Sequence, residues 1–194
     1  MTLPYESGLS PYDSAQALAQ TLADARRVLG PLDDASLAAA LRLLFEGSLT
    51  DIAYLVRDGD MPLNLRLDAL RSIEVLYDEV LELRAGDTLQ SQATASSSEL
   101  QQTIFMIWDV SPLTYWPPSG HARAASRCLA ETFGAVLGRC RSAACIESAL
   151  HGLGHLHNSN ADAAKEAISR WMSQRPDVPD ELLDYAELAW AGTV

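Results

Sequence analysis

Apolar residues recur at intervals of three and four positions along most of the chain, which is the spacing of one face of an α-helix. The first such stripe follows Ser10 and Pro11, a pair typical of a helix N-cap and first turn, and Gly30 and Pro31 end it. The stripe consists of Ala15, Leu18, Leu22, Ala25 and Leu29. We therefore predict an amphipathic helix that starts at Pro11 and packs against the core on one side.

Further stretches have the same periodicity or the same start and stop signals. Ser98 and Gln101 offer a capping box, Ser119 and Ser142 are candidate N-caps, and Pro179 opens the last stretch. No run alternates with a period of two for long enough to indicate a sheet, although period alone leaves a strand possible for the apolar segment 100–108. The pattern predicts an all-α fold with helices over 33–47, 50–57, 62–84, 98–108, 119–140, 142–157, 161–173 and 179–190, and a tight turn at 158–160.

Two connections lack this periodicity. Residues 87–98 read DTLQSQATASSS, with almost no charge and no apolar repeat, so we predict a flexible exposed connection that proteases cut first. Residues 110–120 read VSPLTYWPPSG, in which three prolines forbid regular structure and place Tyr115 and Trp116 in a loop. Exposed aromatic rings between prolines are suited to anchoring a partner, but Trp116 could instead fold back onto the core.

Residues 52–73, IAYLVRDGDMPLNLRLDALRSI, resemble the core of a HEAT repeat. In that family an Asp lies in the turn between paired helices and an Arg lies on the second helix, and neighbouring repeats link these groups. Asp60 and Arg66 match those positions. Residues 142–173 resemble a more degenerate copy, in which serine and lysine replace the Asp and the Arg. The apolar positions that carry the first match are Leu55, Val56, Leu65 and Ala69.

The resemblance implies a short right-handed stack of antiparallel helix pairs, a HEAT-like α-α superhelix whose open faces serve as binding surfaces. About four such pairs would fill the chain. Its 194 residues are the length of one domain, so we predict a single domain over 1–194. An irregular helical bundle is the alternative, because any bundle shares the helix rhythm.

The formal net charge of −12 argues against nucleic acid as the main partner, because binding to phosphates requires a concentrated Lys/Arg surface. It favours a protein partner with a basic surface. Two rows of acidic residues, each spaced to share one helix face, are candidates to guide that partner, although such rows are commonly plain solvated faces. The rows are Glu74, Asp78 and Glu82, and Asp180, Asp184 and Glu187.

The sequence also predicts where the chain resides. Its longest apolar stretches are far shorter than the ~20 residues of a membrane span, which predicts no membrane association. The start MTLPYESGLSPYD lacks the basic and apolar regions of a signal peptide, so we expect a cytoplasmic location. Three cysteines are then expected to be reduced thiols with structural roles.

Glu147, His151 and His155 have metal-ligand side chains at i, i+4 and i+8 on one predicted helix. Two histidines four residues apart can chelate one ion. The HExxH signature is absent, however, and the sequence supplies no further ligand, so plain, partly exposed histidines are the other interpretation. Gly152 and Gly154 each cost the helix ~1 kcal/mol, which indicates either close helix packing or a ligand near the backbone.

No nucleophile elbow, P-loop or dinucleotide-binding pattern occurs. The leading hypothesis is therefore a non-enzymatic protein-binding scaffold or a small acidic inhibitor or immunity-type protein, without a cofactor. The alternative is a metal-dependent enzyme that uses Glu147, His151 and His155. The sequence makes no prediction about oligomeric state. The candidate partner-binding residues are Tyr115, Trp116, His151, His155, Asp180, Asp184 and Glu187.

Overall fold

The computed structural model describes residues 6–91, 98–175 and 178–194, and within these ranges it contains helices and no β-strand. The all-α prediction is confirmed. The centre of the predicted flexible connection, residues 92–97, lies outside the described residues. The helices are α1 (Pro11–Ala23), α2 (Ala25–Val28), α3 (Asp34–Phe45), α4 (Ile52–Asp58), α5 (Leu63–Leu76), α6 (Glu99–Val110), α7 (Ala122–Arg139), α8 (Ala143–Gln174) and α9 (Asp180–Ala191).

Polar residues directly before the apolar stripes cap the helices. The side chain of Ser10 accepts a hydrogen bond from the backbone N–H three residues on, at 3.1 Å, and Asp33 does the same for α3 at 2.7 Å. Ser98 and Gln101 form a complete capping box at the start of α6, and Ser142 caps α8. These side chains satisfy N–H groups that a first helical turn leaves unpaired, which confirms the predicted starts of α1, α6 and α8.

Several helices differ from the predicted ranges. The first is interrupted at Asp24, whose backbone (φ −115°, ψ 33°) separates α1 from α2. The stretch predicted over 62–84 leaves α-helical geometry after Leu76 and continues as a π-helical turn, Tyr77–Leu81. Helix α7 begins after His121 instead of after Ser119.

The predicted turn at 158–160 is a kink inside α8. Asn160 has φ −157° and ψ 73°, which are not helical angles. Its Oδ1 accepts a hydrogen bond from the N–H of Ala163 at 3.3 Å, so it acts as an N-cap for the second half of the helix. Its Nδ2 donates to Ser126 Oγ at 3.1 Å, which ties the kink to α7. The Asn160 side chain thus caps the second half of α8 and ties the kink to the neighbouring helix.

Helix α8 packs against α6, α7 and α9, while α1 packs on α4 and α5, α3 on α6, and α5 on α7. The buried apolar side chains form one cluster. A Cβ atom placed on Gly152 would lie 2.7 Å from the Phe133 ring, and one on Gly154 would collide with Val194. Neighbouring side chains therefore fill the space beside both glycines, which supports the packing interpretation.

A chain of hydrogen bonds crosses this core. Trp108 Nε1 donates to the Tyr77 hydroxyl at 2.9 Å, the hydroxyls of Tyr77 and Ser148 are 2.7 Å apart, and Ser148 Oγ donates to the Ile104 carbonyl at 2.6 Å. Because Ser148 donates to the carbonyl, the Tyr77 hydroxyl must donate to Ser148. Burial raises the pKa of Tyr77 well above its ordinary value, so the hydroxyl stays protonated. These hydrogen bonds join the π turn to α6 and α8.

The pair α4 and α5, which carries the HEAT resemblance, is joined by Arg66. Its buried guanidinium donates to the carbonyl of Val56 at 2.8 Å and to that of Gly59, at the end of α4. Within the described ranges it makes no hydrogen bond or ion pair with Asp60. Helix α5 packs more extensively against α1 and α7 than against α4. The choice between a HEAT-like stack and an irregular bundle stays a prediction.

The acidic row on the predicted helix 62–84 makes ion pairs and hydrogen bonds with other parts of the same chain. Glu74 forms an ion pair with Arg139 at 2.9 Å, and Asp78 lies 3.8 Å from the same guanidinium. Glu82 accepts hydrogen bonds from the backbone N–H groups of Arg141 and Ser142, at 2.9 and 3.2 Å. The expectation that this row faces an external cation is therefore wrong for Glu74 and Glu82, whose partners the chain itself supplies, while Asp78 is exposed to water as expected.

No helix in the described part of the chain is long and apolar enough to cross a membrane.

Candidate functional site

Two helices bring an aspartate and two histidines together at the surface. His151 and His155 lie one turn apart on α8, and Asp109 lies near the end of α6. The Nε2 atom of His151 is 2.8 Å from Asp109 Oδ2, and that of His155 is 3.0 Å from Asp109 Oδ1. The two Nε2 atoms are 3.1 Å apart. We call these residues the Asp109 cluster.

Helix α9 completes the cluster from behind. The Tyr185 hydroxyl lies 2.5 Å from Nδ1 of His151, and the Phe105 ring packs against the His151 ring with centroids 4.5 Å apart. Burial raises the pKa of Tyr185, and the negative charges of Glu147 and Asp109 raise it further. A protonated Tyr185 can donate its hydrogen to Nδ1.

Burial lowers the pKa of His151, since the charged imidazolium loses its hydration, while the hydrogen bond to Asp109 acts in the opposite direction. A neutral imidazole carries one N–H. Because the Asp109 carboxylate can only accept, His151 Nε2 donates to it and Nδ1 accepts from Tyr185. The two partners thus fix both the orientation and the tautomer of the ring.

The cluster is open on one side. The side chains of Asp109 and His155 are 29% and 26% exposed, while that of His151 is only 6% exposed. The prediction of two partly exposed histidines is therefore wrong for His151, which lies beneath Phe105 and Tyr185. The outer edge of the cluster, formed by Asp109 and His155, is therefore open to solvent, while most of the His151 ring is covered.

Glu147 does not join the histidines. Its carboxylate is fully buried and accepts hydrogen bonds from the backbone N–H groups of Gln90 and Ser91, at 2.7 and 3.0 Å. The acidic partner of the histidines is Asp109 instead. The predicted ligand set of Glu147, His151 and His155 is therefore wrong in its carboxylate.

Sequence reasoning missed Asp109 because it lies on another helix, 42 residues before His151. One signal was present: Asp109 is the only charged residue between Leu100 and Val110, and it directly follows the apolar run 104–108. A single carboxylate in such a helix is costly to place near a core unless it has a partner.

A second group with metal-ligand side chains consists of Glu82, Cys140 and Cys145. The carboxylate of Glu82 already binds the backbone N–H groups at the start of α8. The pKa of the Cys140 thiol is raised, first by its hydrogen bond with Cys145 and then by burial. All three cysteines of the chain are free and buried, which agrees with their predicted structural role.

The proline-rich loop over residues 110–120 exposes one of its two aromatic rings and buries the other. Tyr115 is 58% exposed, whereas Trp116 is 5% exposed and its backbone N–H donates to Ser159 Oγ at 2.8 Å. Trp116 has folded back onto the core, so its ring is not an exposed anchor. Tyr115 remains accessible beside Arg57, which donates to the Tyr115 carbonyl.

The outer face of α9 carries a row of carboxylates. Asp180, Asp184 and Glu187 are exposed at intervals of four and three residues, with Glu181 beside them. Across residues 6–91, 98–175 and 178–194 these four carboxylates make no ion pair. This row, unlike that of Glu74, therefore keeps its charge unneutralised.

Two large apolar side chains extend the same surface. Leu188 and Trp190 are 48% and 42% exposed. Trp190 Nε1 donates to Ser169 Oγ at 3.1 Å, and the Lys165 ammonium lies 4.1 Å from the ring centroid, so the indole is held in place. Together with Met172, it lines a surface cavity of about 530 Å³ between the second half of α8 and α9.

Comparisons with family models, curated proteins and solved structures found no match for this chain. The HEAT-like repeat assignment accordingly stays a prediction.

Proposed function

We propose that this protein is a helical scaffold that binds another protein with a basic surface, through the outer face of α9. The observation that carries the proposal is the row of Asp180, Asp184 and Glu187, which is exposed and unpaired within the described residues and lies beside Leu188 and Trp190. An unneutralised acidic row beside exposed apolar side chains fits a segment that presents basic and apolar residues together.

The carboxylates and the apolar side chains have different tasks in such an interface. Long-range attraction by the carboxylates raises the association rate, and it acts over a Debye length of about 8 Å at physiological salt. Apolar contacts that exclude water slow dissociation. Trp190 is suited to this second task because Ser169 and Lys165 already hold its ring, so little rotamer entropy is lost on binding.

The charge of the whole chain supports the same kind of partner. A net charge of −12 gives a field that attracts basic proteins and repels both acidic proteins and nucleic acids. A small acidic inhibitor that covers the basic binding site of another protein is one form of this function.

The steering role is tested on a partner isolated by affinity capture. The variant Asp180→Asn, Asp184→Asn, Glu187→Gln removes the row, and we expect its association rate to fall by about 10-fold or more at low salt. The wild-type rate should fall steeply as salt rises, and the variant's rate should fall less steeply, because most of the net charge remains. A matched control neutralises three exposed carboxylates elsewhere that make no ion pair with any described residue, namely Glu79→Gln, Glu131→Gln and Asp162→Asn.

The anchoring role is tested by Leu188→Ala and Trp190→Ala, which should mainly speed dissociation. Leu83→Ala is the matched control, because Leu83 is 76% exposed and lies far from α9 in the chain. Equal effects of the control set and the α9 set, or an association rate that does not depend on salt, would contradict docking through this face.

A further inference from the structure

We infer that Asp109, His151 and His155 form a binding site for one divalent first-row transition-metal ion. Three ligand groups from two helices converge here, each with one donor atom within 4.8 Å of the others. The inference uses residues that the docking proposal does not need, so it goes beyond that proposal and stands independently of it.

The spacing of the donor atoms suits a small ion. Two ligands of a tetrahedral zinc ion, each at 2.0–2.1 Å from the metal, lie about 3.3 Å apart. The Nε2 atoms of His151 and His155 are 3.1 Å apart, and their distances to the Asp109 oxygens are 2.8 and 3.0 Å. Shifts of roughly a few tenths of an ångström would therefore bring all three donors to ligand distance.

The contact between the two imidazoles also supports a metal site. Both Nε2 atoms face one carboxylate and lie 3.1 Å from each other. A cation in this position would be held by both Nε2 lone pairs and by the carboxylate. His151 Nδ1 would then carry the ring hydrogen and donate it to the Tyr185 oxygen, in the same heavy-atom positions. Such an outer hydrogen bond usually orients a metal-binding histidine.

The donor set and its exposure select the class of ion. Two imidazoles and one carboxylate suit zinc, iron, cobalt or nickel, whereas calcium and magnesium prefer sites built from oxygen atoms alone. Asp109 and His155 lie at the open edge, so an ion can enter from solvent and would keep a coordination position for water or another ligand. Three protein ligands with an open position are typical of reactive or sensing sites more than of closed structural ones.

The test is titration of the chelator-treated protein with Zn²⁺ in competition with a chromophoric chelator. We expect one Zn²⁺ per chain, and a Co²⁺ complex with the visible absorption of a tetrahedral site. His155→Ala and Asp109→Asn should each weaken Zn²⁺ binding by more than the ~100-fold that loss of an outer partner can cause. Both side chains are partly exposed, so these variants should keep the wild-type circular dichroism spectrum.

Controls separate this site from other histidines and thiols. His121→Ala changes an exposed histidine outside the cluster and should leave Zn²⁺ affinity unchanged, and millimolar Mg²⁺ should not displace the ion. Absence of stoichiometric binding, or binding that survives both Asp109→Asn and His155→Ala, would overturn the inference. Loss of binding on Cys140→Ser alone would also overturn it, because the ion would then belong to the Glu82, Cys140 and Cys145 group.

Discussion

Glu147 has a fully buried carboxylate, and its oxygens accept hydrogen bonds from the segment that follows the π turn. Its carboxylate accepts hydrogen bonds from the N–H groups of Gln90 and Ser91 and so holds these two residues against α8. Leu89 packs on the core in the same stretch. This part of the predicted flexible connection is therefore anchored, and the anchor is a residue 57 positions away in sequence.

We expect Glu147→Ala to lower the free energy of unfolding by about 2 kcal/mol, because two backbone donors lose a charged acceptor in a buried position. Hydrogen exchange should show lost protection of the Gln90 and Ser91 amides, and Zn²⁺ affinity should be unchanged. Glu166→Ala, which removes an exposed carboxylate from the same helix, should change stability by less than about 0.5 kcal/mol. Retained protection at residues 90 and 91 would contradict the anchoring role.

The candidate site could be predicted from sequence only in part. The spacing of His151 and His155 is a local property of one helix, so their proximity was predictable. Asp109 and Tyr185 reach the histidines through tertiary packing, which the helical period of their own segments does not encode. The same limit explains Glu147, whose sequence neighbourhood suggested a ligand while its partners lie in a distant loop.

Helix α8 depends on Asn160 to change direction. The side chain caps the second half through Ala163 and binds Ser126 on α7. The neighbouring Ser159 accepts a hydrogen bond from the backbone of Trp116. The kink is thus held from both sides, and it positions the half of α8 that lines the cavity beside Trp190.

We expect Asn160→Ala to cost about 1 kcal/mol of unfolding free energy, the usual effect of losing an N-cap. Chemical denaturation gives the magnitude, and hydrogen exchange should localise the change to the Ala163 amide. Asn158→Ala is the matched control, since Asn158 is exposed and its side chain makes no hydrogen bond within the described residues. If both variants had the same effect, the capping role of Asn160 would be refuted.

At the scale of elements, helix starts were predictable because caps act over three residues, as at Ser10, Asp33 and Ser98. Whether a helix continues past a polar segment could not be predicted from the sequence. Whether a polar segment becomes a turn or a kink depends on what its side chains meet, and the partners of Asn160 and Ser159 lie more than thirty residues away. The π turn after Leu76 has no sequence signal that we can name.

The whole molecule carries 26 acidic and 14 basic side chains. Most ion pairs among its described residues have at least one exposed partner, so each contributes little, about 0–1 kcal/mol. Repulsion among the excess carboxylates therefore dominates the long-range electrostatics of the folded state, and it is reduced when salt screens it.

We expect the thermal midpoint to rise when NaCl is increased from 10 to ~150 mM, a range in which screening dominates over other salt effects. A gain of ~1 kcal/mol would appear as roughly 2–4 °C for a chain of this size. The variant that neutralises Asp180, Asp184 and Glu187 should respond less, because it has less repulsion to screen. A midpoint that falls with salt would show that the attractive pairs outweigh the repulsion.

The hydrogen-bonded chain of Trp108, Tyr77 and Ser148 has a consequence for how this protein can evolve. Each side chain is the hydrogen-bond partner of the next, so replacing one alone leaves a buried donor or acceptor without a partner. Replacing all of them with apolar side chains of similar shape would avoid that cost. In diverged descendants of this sequence we therefore expect positions 77, 108 and 148 to change together or not at all, which makes them a marker of common ancestry even where the surface of α9 has been rebuilt for another partner.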